Sequence, residues 1–249
     1  MSASSFEIVA RQCKAKYVVG LSTTTVRKDG HHPIVFMNCG TVKHRVSDKK
    51  TAEKRPFNHT VISRPTEYKP STSISETEAP KIHEIYSDLI ADVGRNELIV
   101  NDTIKAVDSG RSPLILTERR DHLEMLYWML YDKVQYVFAL RGGMGKKQRQ
   151  ELFANMRAVK PDEERVLVAT GKYLGEGFDD ARLDTLFLTL PISWKGTLAQ
   201  YAGRLHRLYY GKSEVIIYDY SDLSFPILER MYKRRLSGYR SIGYTLQDS

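Results

Sequence analysis

Cysteine is scarce, with only Cys13 and Cys39 in 249 residues. Two thiols cannot staple a small disulfide scaffold, and their separation is not that of a metal-binding pair, so a reduced, intracellular setting fits best. No apolar run approaches the roughly 18 to 20 residues a bilayer-spanning helix needs, and the first residues carry no signal-like apolar core. A soluble, cytoplasmic chain without a membrane partner is the expectation. His31, His32, His44 and His59 have no cysteine or carboxylate at usable ligand spacing, which leaves no expected metal site.

A nucleotide-cradling loop is missing too. The pattern G-x-x-x-x-G-K-[ST] fails at Gly145-Lys146, where Leu140 stands in for the first glycine and Lys147 for the hydroxyl residue. It fails again at Gly211-Lys212-Ser213, where His206 takes the first glycine's place and the turn precedes a strand. Asp162-Glu163 also comes before a strand, so its carboxylates are not offered at a strand's end.

What is present is a real core and an excess of positive charge. Apolar residues make up 41%, and 38 Lys and Arg against 30 Asp and Glu give +8 with a pI near 9.3. Such a balance suits a polyanionic partner, although many basic proteins bind nothing in particular.

Short unbroken apolar runs mark strands buried on both faces: Pro113-Leu116, Val134-Leu140, Val166-Ala169, Leu186-Leu190 and Val215-Tyr220. Earlier candidates are Tyr17-Leu21, Ile34-Met37 and Val42-Val46. Helical stripes alternate with the later strands. They comprise Ile82, Ile85, Tyr86, Leu89 and Ile90; Leu98, Ile99, Ile104 and Val107; Leu123, Leu126, Tyr127 and Leu130; Leu198, Tyr201, Ala202 and Leu205; and Phe225 to Arg240. Strand, turn and helix in repetition indicate an α/β fold with a parallel sheet. Prolines 65, 70 and 80 among Ser, Thr and Glu mark residues 63–80 as a linker that buries little.

The stretch Val166 to Arg207 concentrates the chemistry. Gly171, Gly175 and Gly177 followed by Phe178-Asp179-Asp180 form a loop suited to close backbone approach. On the helix after Pro191, Gln200, Arg204 and Arg207 lie off the apolar face. Two guanidiniums three residues apart project together and match phosphate oxygens, while a solvated basic helix face stays open as the plainer reading.

Ala169-Thr-Gly-Lys172 with Gly177-Phe-Asp179, then Gln200-Tyr-Ala-Gly-Arg-Leu-His-Arg207, resembles motifs V and VI of the superfamily-two helicases; every fixed position of Q-x-x-G-R-x-x-R is matched. Tyr17-Val-Val-Gly-Leu21 with Ser22-Thr23-Thr24 resembles motif III, with Thr23 in place of its usual alanine. The strand end at Thr117 resembles motif IV. The resemblance implies a RecA-like parallel sheet flanked by helices as the second motor domain, preceded by the end of a first one: residues 1–62 as remnant, 63–80 as linker and 81–249 as the second domain. The chain resembles the helicases found in restriction and defence systems.

It further implies ATP as cofactor, with Arg204, Arg207 and Gln200 in catalytic roles and Gly177, Asp179, Ser22 and Thr24 near the nucleotide. Thr117, Arg119, Arg120, Lys146, Lys147, Thr170, Gly171 and Lys172 become candidate nucleic-acid contacts, with DNA favoured over RNA. Lys233, Arg234 and Arg235 with Tyr239 and Arg240 could line a strand or simply form a solvated helix end. Mg2+ and the phosphate lysine would come from an N-terminal motor domain in cis or in trans. The alternative is a non-catalytic nucleic-acid-binding or scaffold fragment.

Overall fold

A computed structural model describes residues 8, 12–21, 36–37, 39–44, 46, 48–75, 80–171, 178–192 and 195–248. The chain divides into two compact units, 1–47 and 48–249. In the first, Tyr17 and Leu21 are 77% and 93% exposed, and 17–21 form no strand, contrary to the sequence expectation. Phe36 and Met37 are helical, and 42–44 are irregular and exposed, so those two strand expectations also fail where they can be seen.

The second unit is built on one seven-stranded sheet in the order β3-β4-β2-β5-β6-β1-β7, every pairing parallel. Its strands are β1 (Asn58–Pro65), β2 (Pro113–Thr117), β3 (Tyr136–Leu140), β4 (Arg165–Thr170), β5 (Thr185–Leu188), β6 (Glu214–Ser221) and β7 (Thr245–Asp248). Around them lie α1 (Asp48–Glu53), α2 (Thr72–Ser75), α3 (Ile82–Ala91), α4 (Val93–Asp108), α5 (Arg120–Tyr131), α6 (Lys146–Ala158), α7 (Lys195–Ala202) and α8 (Pro226–Ser241). A 3-10 turn, Gly203–His206, continues α7.

Alternation along the central strands explains why both faces are covered. Leu114, Leu116, Leu167, Ala169, Leu186 and Leu188 point to a core shared with α6, α7 and α8. Ile115, Val166, Val168 and Phe187 point to the opposite core, against α4 and α5. A fully buried aliphatic side chain contributes about 1.5–3 kcal/mol, so strands apolar on both faces are held only as central members of a sheet covered by helices. Local signals set the helix ends: the Asp92 carboxylate accepts from the Arg95 amide at 2.7 Å to open α4, and Glu84 accepts from the Lys81 amide at 2.7 Å to open α3.

Two expectations are corrected here. The boundary between 62 and 63 falls inside β1, whose eight residues pair with β6 from Asn58 opposite Glu214 to Pro65 opposite Ser221. The segment after β1 is not a bare linker: Tyr68 and Ile74 are buried against Ile85 and Leu89, and the Tyr68 hydroxyl donates to Asp88 at 2.6 Å. An aromatic ring among the prolines supplied the apolar area that composition alone discounted. A strand beyond those runs, β7, follows α8 and pairs with β1.

Candidate functional site

The strand order reverses direction about β2, with β4 on one side and β5 on the other. In open parallel sheets the crevice beyond the strand ends at such a point is where ligands bind. At these ends Glu118 follows β2, Gly171 follows β4 and Pro191 follows β5. The Tyr201 hydroxyl of α7 reaches back to donate to Glu118 at 3.0 Å, while the Tyr86 hydroxyl of α3 donates to the Pro191 carbonyl at 2.6 Å. Burial and the Glu118 charge raise the Tyr201 hydroxyl above its ordinary value, so it stays a donor. Gly171 is required by packing: a Cβ there would lie 2.0 Å from the Tyr201 hydroxyl.

Of the candidate nucleic-acid contacts, Thr117 is turned inward. It is 1% exposed; its hydroxyl accepts from the Arg119 amide at 3.3 Å and faces His122 Nδ1 at 3.1 Å. The side chain caps the turn into α5 and is not a surface group, which corrects that expectation. Arg119 and Arg120 reach solvent, paired with Asp121 at 2.7 Å and Glu124 at 3.0 Å. Thr170 is 8% exposed with a hydroxyl that has no hydrogen-bond partner among the described residues. Lys146 and Lys147 stand exposed in the first turn of α6 and make no ion pair among the described residues. Two ammonium groups at the positive end of a helix gain nothing from the fold, a placement that suits an anion. Ser22, Thr24, Lys172 and Gly177 lie outside the described residues.

The second group gathers where the loop entering β5 meets the turn after α7. Phe178 enters the core beside Phe153, ring centroids 5.8 Å apart. Asp180 takes the Arg165 guanidinium at 2.8 Å and the Arg182 amide at 3.1 Å. Arg204 donates to the Phe178 carbonyl at 3.0 Å, and Arg207 pairs with Asp179 at 2.9 Å. The two arginines therefore divide their tasks. Arg204 is half-buried and braces the loop; burial and then the neighbouring Arg207 charge lower its pKa. Arg207 ends the 3-10 turn in extended backbone, and its side chain is 60% exposed against an Asp179 that is 63% exposed. Gln200 is exposed on α7.

Sequence reasoning missed four contributors. Arg165 and Asp180 pin the loop, Glu118 receives Tyr201, and Lys212 donates to the carbonyls of Ala181 and Leu183 at 2.7 Å, Arg207 at 2.9 Å and Leu205 at 3.1 Å. Asp180 carried a signal only as part of the 178–180 loop, and Lys212 only as a Gly-Lys-Ser run after a helix that matched no phosphate loop. The basic end of α8 is also corrected. Arg235 is 3% exposed and bonds Asp219 through Nε at 2.8 Å and Nη2 at 2.9 Å, and Tyr239 is fully buried with its hydroxyl on the same carboxylate at 2.8 Å. These two residues hold α8 to β6 and line no path. Lys233 alone of that trio's described ion pairs is at the surface, on Glu229.

The arrangement can present one guanidinium to a phosphate from a pinned turn, with basic groups and strand ends elsewhere on the domain. Among the described residues there is no cluster of three or more His, Cys, Asp or Glu that could hold a metal ion, and no helix is long and apolar enough to cross a membrane.

Comparison with known proteins agrees with this geometry. Residues 96–209, from α4 through Arg207 to Tyr209, match the helicase conserved C-terminal domain. The putative ATP-dependent RNA helicase L396 of Acanthamoeba polyphaga mimivirus is 23% identical over 257 residues, covering 99% of this chain and 46% of the relative. Transcript termination protein A18 of fowlpox virus is 29% identical over 140 residues, 53% of this chain and 28% of that protein. The chain thus spans less than half the length of either relative. Among solved structures, T4 UvsW superposes with a TM-score of 0.60 at 14% identity over 78% of this chain and 42% of its own. S. cerevisiae Dbp5 bound to RNA and ADP BeF3 superposes with a TM-score of 0.55 at 14% identity, over 91% and 50%. Residues 96–209 of the parallel α/β domain thus match the helicase conserved C-terminal domain, and the domain shares its fold with these solved structures.

Proposed function

We propose that the domain works as the second motor half of an ATP-dependent helicase or translocase acting on nucleic acid. The observation that carries this reading is Arg207, an exposed guanidinium paired with an equally exposed carboxylate, set on a turn that Arg204 and Lys212 fix. An exposed ion pair is worth about 0–1 kcal/mol, so a phosphate can take Asp179's place at little cost. The sequence supplies neither a P-loop nor a D-E-x-H box, so ATP and Mg2+ would be held by another motor domain, in cis or in trans. We take residues 1–47 as the end of such a domain and the cytoplasm as the setting.

In that assembly Arg207 would bear on the transferred phosphoryl group, whose transition state spreads charge over its equatorial oxygens. Arg204 supports it, Asp179 pairs with it, and we assign Gln200 on α7 to the same site. Arg119, Arg120, Lys146 and Lys147 remain the surface we assign to the strand, while Thr170 and Gly171 are buried at the end of β4. The sequence favoured DNA, whereas the mimivirus relative is named as an RNA helicase. Competition between ribose and deoxyribose strands of one sequence separates them.

The deciding experiment restores a P-loop motor domain and measures steady-state ATP hydrolysis. Arg207→Lys keeps charge and loses the planar fork, so turnover should drop at least tenfold while the ATP KM changes less. Turnover within twofold of wild type would return Arg207 to a solvated basic face. A non-catalytic binding module is the second reading, favoured by the missing P-loop; it predicts nucleic-acid binding with no hydrolysis in any reconstitution.

A further inference from the structure

Besides the Arg204 bond to Phe178 and the exposed Arg207–Asp179 pair, the segments that carry Asp179 and Arg207 are joined by the side chain of Lys212. Lys212 follows a turn in which its amide donates to the Tyr209 carbonyl at 3.2 Å and Gly211 takes φ +79°, a conformation that favours glycine. This reversal brings its ammonium back under the preceding turn. It donates to Leu205 and Arg207 on one side, and to Ala181 and Leu183 on the other, at 2.7 to 3.1 Å.

Position matters here because the surface supplies so little of it. Arg207 lies just beyond the last residue of the 3-10 turn, where carbonyls have no partner within the helix. A cation at that end satisfies them and complements the helix dipole. The exposed Asp179 pair is too weak to fix a long side chain. What sets the direction of Arg207 is therefore the backbone at 205–207, and Lys212 ties that backbone to the loop that Arg165 and Phe178 anchor in the domain. The four acceptors are neutral carbonyls converging on one point. The three N–H groups of a compact ammonium can be shared among these four carbonyls, which a planar guanidinium fork fits less well.

We infer that Lys212 is a positioning residue for Arg207, a tether that holds the guanidinium where a phosphate held by the completing domain can meet it. This rests on the role proposed above for Arg207. Burial lowers the ammonium to about 8, consistent with a site closed by the two segments it joins.

Two measurements test it. In this chain alone, Lys212→Met should raise amide hydrogen exchange at least tenfold at 203–209 and 180–184 while β2 and β4 keep their protection; unchanged protection at both segments overturns the tether. In the reconstituted motor, Lys212→Met should lower kcat at least tenfold with the ATP KM within threefold, and should add less than twofold on an Arg207→Ala background. Full kcat in Lys212→Met, or the same tenfold loss with Arg207 already removed, overturns the positioning role. Lys212→Arg guards against a variant that fails to fold: it keeps a cation at the helix end, and intermediate turnover is expected, while wild-type turnover overturns the proposal. If Arg207→Ala itself leaves kcat unchanged, the motor role of Arg207 fails and the positioning role with it, whereas the exchange result still decides the tether.

Discussion

Tyr201 donates its hydroxyl hydrogen to Glu118 at 3.0 Å directly above Gly171, so helix α7 is fastened to the ends of β2 and β4 at a point where no side chain fits. A methyl group at 171 would sit 2.0 Å from the Tyr201 hydroxyl and 2.8 Å from both its ring carbon and Glu118. Gly171→Ala should therefore displace the ring and destabilise by about 1–3 kcal/mol, the usual range for overpacking. Chemical denaturation checks this, and a double-mutant cycle locates the cause. With Tyr201→Ala already present, Gly171→Ala should cost less than half as much; equal costs in the two backgrounds would place the strain elsewhere.

The basic end of α8 gives a contrast within three residues. Arg235 and Asp219 are 3% and 1% exposed, and Tyr239 shares the carboxylate, so Arg235→Ala leaves an uncompensated buried charge. The expected loss is about 3–5 kcal/mol. Lys233→Ala removes only an exposed pair with Glu229 and should cost less than about 0.5 kcal/mol. Urea midpoints measured with a common slope compare the two; similar losses would show that Arg235 is not structural.

Three histidines make folding sensitive to mild acid. Burial pulls His59 down to about 4 and His122 and His206 down to about 3, against an ordinary value near 6.5. For His122 the hydrogen bonds agree with a neutral ring. Nε2 donates to the Asn96 Oδ1 at 3.0 Å, so in the neutral ring Nδ1 accepts from the Thr117 hydroxyl at 3.1 Å. As pH falls below 6.5 the unfolded chain takes up protons that the folded rings refuse, so stability is full above 6.5 and lost progressively toward 4 for His59 and 3 for the others. Denaturation at pH 7.5, 6.0 and 5.0 should show a steady decline, shallower in His122→Gln. A flat profile above pH 5, where most carboxylates are still ionised, would contradict this.

Apolar runs placed β2, β4, β5 and β6 well because a strand buried on both faces leaves an unbroken signature, and the glycines and arginines of the 166–207 stretch drew attention to the region the family match covers. What stayed hidden was partnership at a distance. Arg235 and Lys233 look alike in a string, and only the fold sets one against Asp219 and the other in water. The linker expectation failed for a similar reason, since nothing local to Tyr68 reveals Asp88 twenty residues on. Lys212 sits in a string that fails as a phosphate loop, and its four carbonyls come from segments up to 31 residues away.

Lys146 and Lys147 offer the sharpest test of nucleic-acid binding, because they are exposed, make no described ion pair and occupy the first turn of α6, so their loss should leave the fold intact. Removing two cations from a helix N-terminus relieves an unfavourable dipole interaction, and Lys146→Gln with Lys147→Gln should leave stability unchanged or slightly raised. Binding behaves differently. Each phosphate neutralised by a lysine releases condensed counterions, so affinity for a single strand should fall steeply with salt, with a slope of about −0.7 per phosphate contact. If both lysines touch the strand, the double variant should bind about equally weakly to all sequences and show a slope shallower by up to about 1.4. Fluorescence anisotropy with a labelled homopolymer from 50 to 300 mM salt, on the order of the range where counterion release dominates, measures it. A slope unchanged in the double variant would remove α6 from the strand's path and shift the interface toward Arg119 and Arg120, whose own carboxylate partners would then have to be displaced.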